Sequence, residues 1–354
     1  MQITGAEVTP ITLNVKQPIQ MAHLPLIESI TVVFVRLDLS TGQSAWGCTV
    51  AHQSLTGDKP EDVIKACQDC ATMVPDLHPT NIEYSLDQLI PLVEDAPSAM
   101  CAFDLAFHDL LGLASGMPLY RLLGGYRNSI QTSATIPNGT IEESVKIARI
   151  RAKSGFHMLK IKGGFDPEED VRRVRGIHRT LPHHILRLDP DGAYTVQAAI
   201  EVARALEGKI EMLEQPTAVD DLEGLRQVKE QSPVPILADQ SAMGPTSVLN
   251  LAARDITDGV SVKMATCGGL RCAGQIDAIA RAAKMATMVS CLIEPALLIA
   301  AGLSFALSSP NIKYADLDGY LELVDDPSQA GFQLEEGWLT ASEVPGLGCT
   351  VNLN

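Results

Sequence analysis

The pattern of apolar and polar positions divides the chain into two regions. In the first region, apolar and polar residues alternate up to about residue 55, as in ESITVVFVRLDL, and apolar residues at helical spacing follow from Pro60 to Leu123. Alternation with a period of two predicts antiparallel strands, and the helical spacing predicts helices. Gly116 and Pro118 are stop signals near the end of this region. We therefore expect an α+β domain over residues 1–125.

A unit made of a short apolar run and a helix pattern recurs after residue 125. Seven such runs end in or near a polar residue at intervals of 24–28 residues: MLKIK, ILRLD, IEMLE, PILAD, GVSVK, MVSCLIE and IKYAD. The run SIQTSATI precedes them and brings the number of predicted strands to eight. A doubly wound open sheet is the alternative, but polar residues at every strand end favour a barrel, in which all strand ends meet at one face.

The predicted fold is therefore α/β, a modified TIM barrel of the (β/α)7β type with an N-terminal α+β capping domain. We expect the barrel to occupy residues 126–318. The remaining residues, 319–354, contain no further unit of the repeat, and we expect them to return to the capping domain.

Composition narrows the classes of partner. The chain has 354 residues, of which 43 are acidic and 27 basic, and its net charge of −16 argues against binding to nucleic acid or to anionic membranes. The start, MQITGAEVTPITL, lacks the pattern of a signal peptide, so we expect a cytoplasmic protein. The apolar stretch Met285–Leu307 is interrupted by Glu294 and Pro295 and predicts a strand followed by a helix. The oligomeric state, including a homo-oligomer, stays open.

The eight cysteines are interpreted as reduced thiols. Cys67 and Cys70 form a CxxC pair, which is a common half of a zinc site. No second pair or neighbouring histidine completes such a site, and PEDVIKACQDCATM has the pattern of an amphipathic helix. We therefore expect both thiols to lie in the core.

Lys160 and Lys162 are unusual because they interrupt the apolar run HMLKIKGG. Residues two apart in a strand share a face, so both amines should point toward the mouth of the barrel. Their mutual repulsion and partial burial predict a lowered pKa for each, which suits a general base. The alternative is a solvated strand end whose lysines extend into water.

Asp189, Glu214 and Asp239 end the next three predicted strands and should form an arc of carboxylates. Such oxygen ligands suit Mg²⁺, although each carboxylate alone could cap a helix. Lys263 ends the sixth strand and Lys162 the second, so the two lysines should face each other across this arc. The arrangement predicts removal of a proton from one face of a bound carbon and its return to the other face, with the metal stabilising an enolate.

These motifs together resemble the muconate-lactonizing branch of the enolase superfamily over nearly the whole chain. The resemblance includes the lysine in SVKMATCGGL and the stretch DLAFHDLLGLASGMPLYRLLGG. Within that branch, Asp316 and Asp318 in YADLDGYLEL resemble the dipeptide epimerases, in which such a pair holds the α-ammonium group of the substrate. Two carboxylates complement a cation, although a turn or a helix cap after the strand is the alternative.

The resemblance implies a Mg²⁺-dependent dipeptide epimerase that inverts the α-carbon of the C-terminal residue. Lys162 and Lys263 would be the two bases, and Lys160 would polarise the carboxylate. The implied Mg²⁺ ligands are Asp189, Glu214 and Asp239. The implied substrate-binding residues are Thr135, Lys160, Cys291, Ile293, Asp316 and Asp318.

The sequence departs from the family pattern at two positions beside the implied ligands. Gln240 stands where a Glu usually follows the third ligand, and Asp191 stands where an Asn is usual. The segment KQPIQMAHLPLIES lacks the Arg with which Ala-Glu epimerases bind the glutamate side chain. It therefore predicts a preference for neutral, especially hydrophobic, L,L-dipeptides.

Three other functions remain open from the sequence. The first is another enzyme of the superfamily, a cycloisomerase, dehydratase or amino-acid racemase that uses the same metal and lysines. The second is a Schiff-base aldolase with Lys162 as nucleophile, which would need no carboxylate arc. The third is a non-catalytic ligand-binding barrel, which would tolerate replacement of Lys263 without loss of ligand affinity.

Overall fold

The N-terminal region forms a three-stranded antiparallel sheet. The structure, a computed structural model, describes residues 1–22 and 24–353; His23, within the segment that lacks an Arg, and Asn354 lie outside it. The strands pair in chain order and are β1 (Ile3–Ile19), β2 (Ile27–Leu39) and β3 (Ser44–Ala51).

Helices follow this sheet along the chain. They are α1 (Gln53–Thr56), α2 (Pro60–Met73), α3 (Ile82–Leu89), α4 (Ala99–Ser115) and α5 (Leu119–Leu122), with 3₁₀ turns at Val74–Asp76 and Ile90–Leu92. The expected amphipathic helix is α2, and its Cys67 and Cys70 are buried free thiols, as the sequence predicted. Strand β3 packs against α4 so closely that a Cβ added to Gly47 would lie 2.0 Å from the carbonyl oxygen of Ala102.

The alternation along β2 explains how the sheet joins two cores. Phe34 is fully buried in the larger apolar core, which includes the barrel. Its neighbours Val33 and Val35 are fully buried in the smaller core beneath the capping helices. Successive strand residues point to opposite faces, so a continuous apolar strand serves both cores.

The second region alternates parallel strands and helices. In chain order its elements are β4 (Ser129–Gln131), β5 (Ser133–Ile136), α6 (Ile141–Lys153), β6 (Met158–Lys162), α7 (Pro167–Thr180), β7 (Ile185–Asp189), α8 (Val196–Ala205), β8 (Met212–Glu214), α9 (Leu222–Gln231), β9 (Ile236–Ala238), α10 (Pro245–Ala253), β10 (Gly259–Val262), α11 (Met264–Cys267), α12 (Leu270–Ala282), β11 (Ala286–Ser290), α13 (Ala296–Ala306) and β12 (Ile312–Asp316). Two 3₁₀ turns occur at Gln240–Ala242 and Gly319–Glu322.

Strands β5 to β12 form one eight-stranded parallel sheet in chain order. A parallel bridge between Thr132 and Ala315 joins its first and last edges. The predicted α/β barrel with an N-terminal α+β region is therefore confirmed. Because all eight strands run the same way, their carboxyl ends meet at one face of the barrel.

The last part of the chain adds four short strands: β13 (Ser328–Gln329), β14 (Phe332–Glu335), β15 (Trp338–Ala341) and β16 (Thr350–Val351). This part contacts the capping region through Asp109 of α4, whose carboxylate accepts hydrogen bonds from the backbone N–H groups of Leu347 (2.7 Å) and Trp46 (2.9 Å). The buried carboxylate thus ties the end of the chain to the first sheet.

The prediction that SIQTSATI forms a single barrel strand is wrong. Strand β4 pairs with β15 outside the barrel, and only β5 belongs to the barrel. The break lies at Thr132, whose N–H bonds to the carbonyl of Gly337 at 2.9 Å while its hydroxyl accepts from the N–H of Leu317 at 2.7 Å. A partner 205 residues away along the chain decides this division, so local alternation could not show it.

The stretch Met285–Leu307, which was predicted to form a strand followed by a helix, contains both elements, β11 and α13. Within residues 1–22 and 24–353, no helix is both long enough and apolar enough to cross a membrane.

Candidate active site

The charged residues singled out in the sequence lie at the carboxyl ends of the barrel strands. Lys160 lies in β6 and Lys162 ends it, Asp189 ends β7 and Glu214 ends β8. The others follow in the same way at the ends of β9, β10 and β12: Asp239, Lys263, Asp316 and Asp318. Parallel pairing sets Lys162 opposite Asp189 in the register of β6 and β7. The strand periodicity therefore brings the predicted groups to one face.

Lys160 is the centre of the cluster. Its side chain is 3% exposed, and its Nζ lies 2.9 Å from Asp189, 2.8 Å from Glu214 and 2.9 Å from Asp316. Three carboxylates from three different strands thus share one ammonium group. The burial of these charges is tolerable only because they compensate one another.

The two other lysines each contact a different carboxylate. Nζ of Lys162 donates to Asp189 at 2.8 Å and to both oxygens of Asp191, at 2.8 and 3.0 Å. Lys263 donates to Asp239. The two amines thus lie on the second and sixth strands of the sheet, on either side of the carboxylates.

The expectation of lowered lysine pKa values is wrong for this structure. Burial lowers the pKa of Lys162, and the charge of Lys160 lowers it further, but Asp189 and Asp191 outweigh both and the pKa is raised. The pKa values of Lys160 and Lys263 are raised in the same way, against burial, by neighbouring carboxylates. The prediction considered the second amine and burial but omitted the charges of the carboxylates that surround each lysine.

The pKa values of the carboxylates are set by the same two effects, burial and the charges of neighbouring groups. Burial raises the pKa of Glu214 to about 7, helped by the charges of Asp189 and Asp239 and opposed by Lys160. For Asp189, burial also raises the pKa, but Lys160 and Lys162 outweigh it, so its pKa lies well below the ordinary value. Asp189 is therefore anionic, while Glu214 is poised to bind a proton or a cation.

Asp189, Glu214 and Asp239 fit a hard divalent cation by their chemistry. Both oxygens of Glu214 are buried without a hydrogen bond, since Lys160 lies close to one of them but outside hydrogen-bonding geometry. In the described part of the chain, no three His, Cys, Asp or Glu side chains form a ready metal cluster. Lysine amines lie among these carboxylates instead, so a bound cation would take over charge compensation that the amines provide here.

Asp316 and Asp318 are both buried at the end of the last strand. Asp316 accepts from the hydroxyl of Ser133 at 2.6 Å and from Lys160 at 2.9 Å. Asp318 accepts from the N–H of Thr135 at 2.6 Å and from its hydroxyl at 3.1 Å. Burial and the charge of Asp316 raise the pKa of Asp318 to about 7.

Thr135, Cys291 and Ile293 are placed less directly than the charged residues. Thr135 bonds to Asp318, as described above. The sulfur of Cys291 accepts from the N–H of Gly319 at 3.3 Å and so contacts the loop that carries Asp318. Ile293 is buried, with 5% of its surface exposed. All three belong to strand ends or loops at the barrel mouth, and two of them support Asp318.

Sequence reasoning missed three contributors to this site. Asp191 was noted only as a departure from a pattern, but it pairs with Lys162, and Gln240 donates to it at 3.4 Å. Ser133 and Arg187 were not considered. A signal for Arg187 was present, since it is a charged residue inside the apolar run ILRLD, on the same strand face as Asp189.

Two family models match this chain, one over the N-terminal region and one over most of the barrel region and the end of the chain. Residues 142–354 match the family model for an enolase C-terminal domain-like region. Residues 3–124 match the N-terminal domain of mandelate racemase and muconate lactonizing enzyme. The chain belongs to the enolase superfamily. The resemblance seen in the sequence is thereby confirmed, and with it the prediction that the chain is an enzyme.

Similar proteins of this superfamily differ in their named substrates. The chain is 38% identical over 72% of its length, and 72% of the relative, to an L-Lys-D/L-Arg epimerase of Methylococcus capsulatus. It is 32% identical over 98% of its length, and 99% of the relative, to a hydrophobic dipeptide epimerase of Enterococcus faecalis. A solved structure of the dipeptide epimerase of Enterococcus faecalis with Mg and L-Leu-L-Tyr matches with a TM-score of 0.95, at 31% identity, over 99% of this chain and 100% of that one.

Proposed function

We propose that the chain is a Mg²⁺-dependent isomerase that epimerises dipeptides at the α-carbon of the C-terminal residue. The observation that carries the proposal is the arrangement of charges at the barrel mouth. Two lysines, Lys162 and Lys263, flank a buried carboxylate cluster, and a second carboxylate pair, Asp316 and Asp318, closes the ring of strands. The relatives are named as dipeptide epimerases, some of them for an L residue followed by a D/L residue, which supports a dipeptide substrate.

The lysines supply the proton chemistry. With a cation compensating the carboxylates that now raise the pKa values of these lysines, one amine would be neutral and would take the α-proton of the substrate. The electrons of the broken C–H bond would move into the substrate carboxylate to give an enolate. The ammonium group on the opposite side then donates a proton to the other face of the same carbon. The balance is one proton removed and one returned, so the product is the epimer and no other reactant is needed.

The substrate carboxylate would lie against Lys160 and the cation-binding carboxylates. Asp189, Glu214 and Asp239 would hold Mg²⁺, which when bound supplies a Lewis acid that stabilises the charge of the enolate. Lys160 adds a buried positive charge on the same side. In a site that excludes water, such preorganised charges are most effective because they need little reorganisation during the reaction.

Asp316 and Asp318 would hold the α-ammonium group at the other end of the dipeptide. Both are buried, and each is fixed by donors from β5. A zwitterionic dipeptide carries opposite charges at its two ends, and the site offers cations for one end and carboxylates for the other. The substrate would thus be oriented by charge before any proton moves.

The preferred side chain would be neutral or hydrophobic. At the end of β1 and just after it, Ile19 and Met21 are partly buried against the main apolar core. The amine of Lys16 is bound to the carbonyl of Leu321 at 2.6 Å, so it is engaged away from a substrate carboxylate. Among the residues of this segment that the structure describes, which leave out His23, no cation is free to pair with an acidic side chain, and such a side chain would lose its hydration.

The test is incubation of the protein with Mg²⁺ and pooled L-Ala-L-Xaa dipeptides in D₂O. Mass spectrometry reports deuterium uptake, and chromatography reports the new diastereomer at each C-terminal residue. We expect a gain of one deuterium together with inversion, and loss of both in EDTA. If no dipeptide exchanged its α-proton for deuterium while Mg²⁺ was bound, the epimerase proposal would be wrong. Cycloisomerase and dehydratase substrates would then be tested.

The same experiment ranks the side chains. L-Ala-L-Leu and L-Ala-L-Phe should turn over faster than L-Ala-L-Glu, and L-Lys-L-Arg should be included because one relative is named for such substrates. A much faster reaction of L-Ala-L-Glu or of L-Lys-L-Arg would contradict the proposed preference without contradicting the proposed reaction.

A further inference from the structure

A buried positive charge inside the barrel is not used by the proposed reaction. Arg187, in the middle of β7, has no exposed surface. Its Nε donates to Glu211 at 2.8 Å and its Nη1 to the carbonyl of Ala315 at 3.0 Å. The guanidinium also lies 5.2 Å from the ring centre of Tyr314. A fully buried guanidinium is stable only where its N–H donors have acceptors, so each further partner of Arg187 matters for how the site is held.

Beyond weak contacts with the sulfurs of Met288 (3.9 Å) and Met158 (3.7 Å), the guanidinium contacts the hydroxyl of Ser133, on β5. Nη1 of Arg187 lies 3.3 Å from the hydroxyl oxygen of Ser133, and Ser133 is also fully buried. Arg has donors only, so the serine oxygen must accept in this contact. The single hydroxyl proton is then free to point elsewhere. Two acceptors lie within reach, Oδ1 of Asp316 at 2.6 Å and the carbonyl oxygen of Ala315 at 3.4 Å, and the shorter contact directs the proton to Asp316.

Asp316 is therefore held from two sides. Ser133 donates to Oδ1, and Lys160 donates to Oδ2 at 2.9 Å. A carboxylate bound by one donor at each oxygen cannot rotate freely about its Cβ–Cγ bond. Without the serine hydroxyl, one oxygen would lose its donor and Lys160 would be the remaining side-chain donor to this carboxylate.

We propose that Ser133 is a positioning residue that holds Asp316 in the orientation that receives the substrate ammonium group, with its hydroxyl directed by Arg187. The inference rests on the proposed function of Asp316. Ser133 itself does not touch the reacting atoms, so its loss should weaken substrate binding more than it slows proton transfer. It acts on the end of the dipeptide that is remote from the lysine bases.

The test is Ser133→Ala, assayed with a dipeptide that the wild type epimerises. We expect KM to rise about ten-fold, as for loss of a hydrogen bond to a charged group, while kcat stays within about three-fold. In the Asp316→Asn background, Ser133→Ala should add little, because the serine acts through that carboxylate. The matched control is Ser261→Ala, which removes a hydroxyl that is buried in β10 and bonded to Ser290 at 2.6 Å.

Four results would overturn the inference: an unchanged KM, a fall in kcat alone, additive effects of the two substitutions, or an equal rise of KM in Ser261→Ala. Thermal unfolding of each variant separates these results from a loss of folded protein. If the wild type exchanges no dipeptide proton, the proposed function fails before the serine is tested. If the wild type reacts and Ser133→Ala behaves like it, only the positioning role fails.

Discussion

Replacement of Lys160 by methionine measures how far one ammonium group holds the carboxylate cluster together. Methionine is of similar length and has no charge. The amine that it removes lies within 2.9 Å of Asp189, Glu214 and Asp316. The perturbation therefore leaves three buried carboxylates without a partner that they share.

The expected loss of stability is large and depends on pH. Removing one partner of a buried ion pair costs about 3–5 kcal/mol, so we expect the free energy of unfolding in EDTA to fall by about 3 kcal/mol or more at pH 8. The stranded carboxylates gain a raised pKa in the folded state. A carboxyl group whose pKa is raised in the folded state stabilises the fold at pH values below its unfolded-state pKa of about 4. This contribution is lost as the pH rises through its folded-state pKa. The deficit of the variant should therefore be smaller at pH 5 than at pH 8.

The assay is urea unfolding of the wild type and Lys160→Met in EDTA at pH 5 and pH 8. Lys229→Met is the matched control, because Lys229 pairs with the exposed Asp255, and such pairs contribute about 1 kcal/mol or less. Added Mg²⁺ should restore part of the lost stability at pH 8, since a cation that binds the folded state stabilises it. A loss below about 1 kcal/mol at pH 8, or an equal loss at both pH values, would refute the reasoning.

Three further predictions concern specificity, packing and pH. Met21→Arg should raise kcat/KM for L-Ala-L-Glu relative to L-Ala-L-Leu, whereas Met21→Gln should not; equal ratios would contradict the proposed role of this segment. Gly319→Ala should lower activity and the melting temperature, because its Cβ would lie 1.9 Å from the carbonyl oxygen of Leu292, whereas Gly274→Ala, with open space around it, should be tolerated. Burial raises the pKa of Asp109 to about 6, so the protonated carboxyl contributes about 3 kcal/mol to stability, and this contribution should be lost as the pH rises from about 4 to about 6. Urea unfolding measured across this range should show that the free energy of unfolding depends less on pH in Asp109→Asn than in the wild type. An unchanged pH dependence would refute the prediction.

Much of the fold could be predicted because the barrel repeats a local pattern. Most strands are short apolar runs that end in a polar residue, and the parallel arrangement brings eight separate strand ends to one face. Lys162 and Asp189, 27 residues apart in the chain, become direct neighbours by this rule alone. The division of the first predicted strand at Thr132 could not be seen, since it depends on pairing with the distant β15.

The contacts within the site were less accessible to sequence reasoning. Periodicity gives the face on which a side chain lies but not the partner that it selects. Lys160 was expected to act on its neighbour Lys162, but it lies among carboxylates from three other strands. The same limit explains Ser133, which is an ordinary serine in the sequence and acquires its proposed role only through Arg187 and Asp316.

The two-base mechanism is tested most directly by deuterium uptake from D₂O in Lys162→Ala and Lys263→Ala, each assayed with both epimers of one dipeptide that the wild type converts. Each variant should fail to epimerise. Each should still exchange the α-proton of one epimer, and the two variants should retain exchange with opposite epimers, because in the proposed mechanism each lysine serves one face of the carbon. Epimerisation by either variant at the wild-type rate, or exchange of the same epimer by both, would contradict the account.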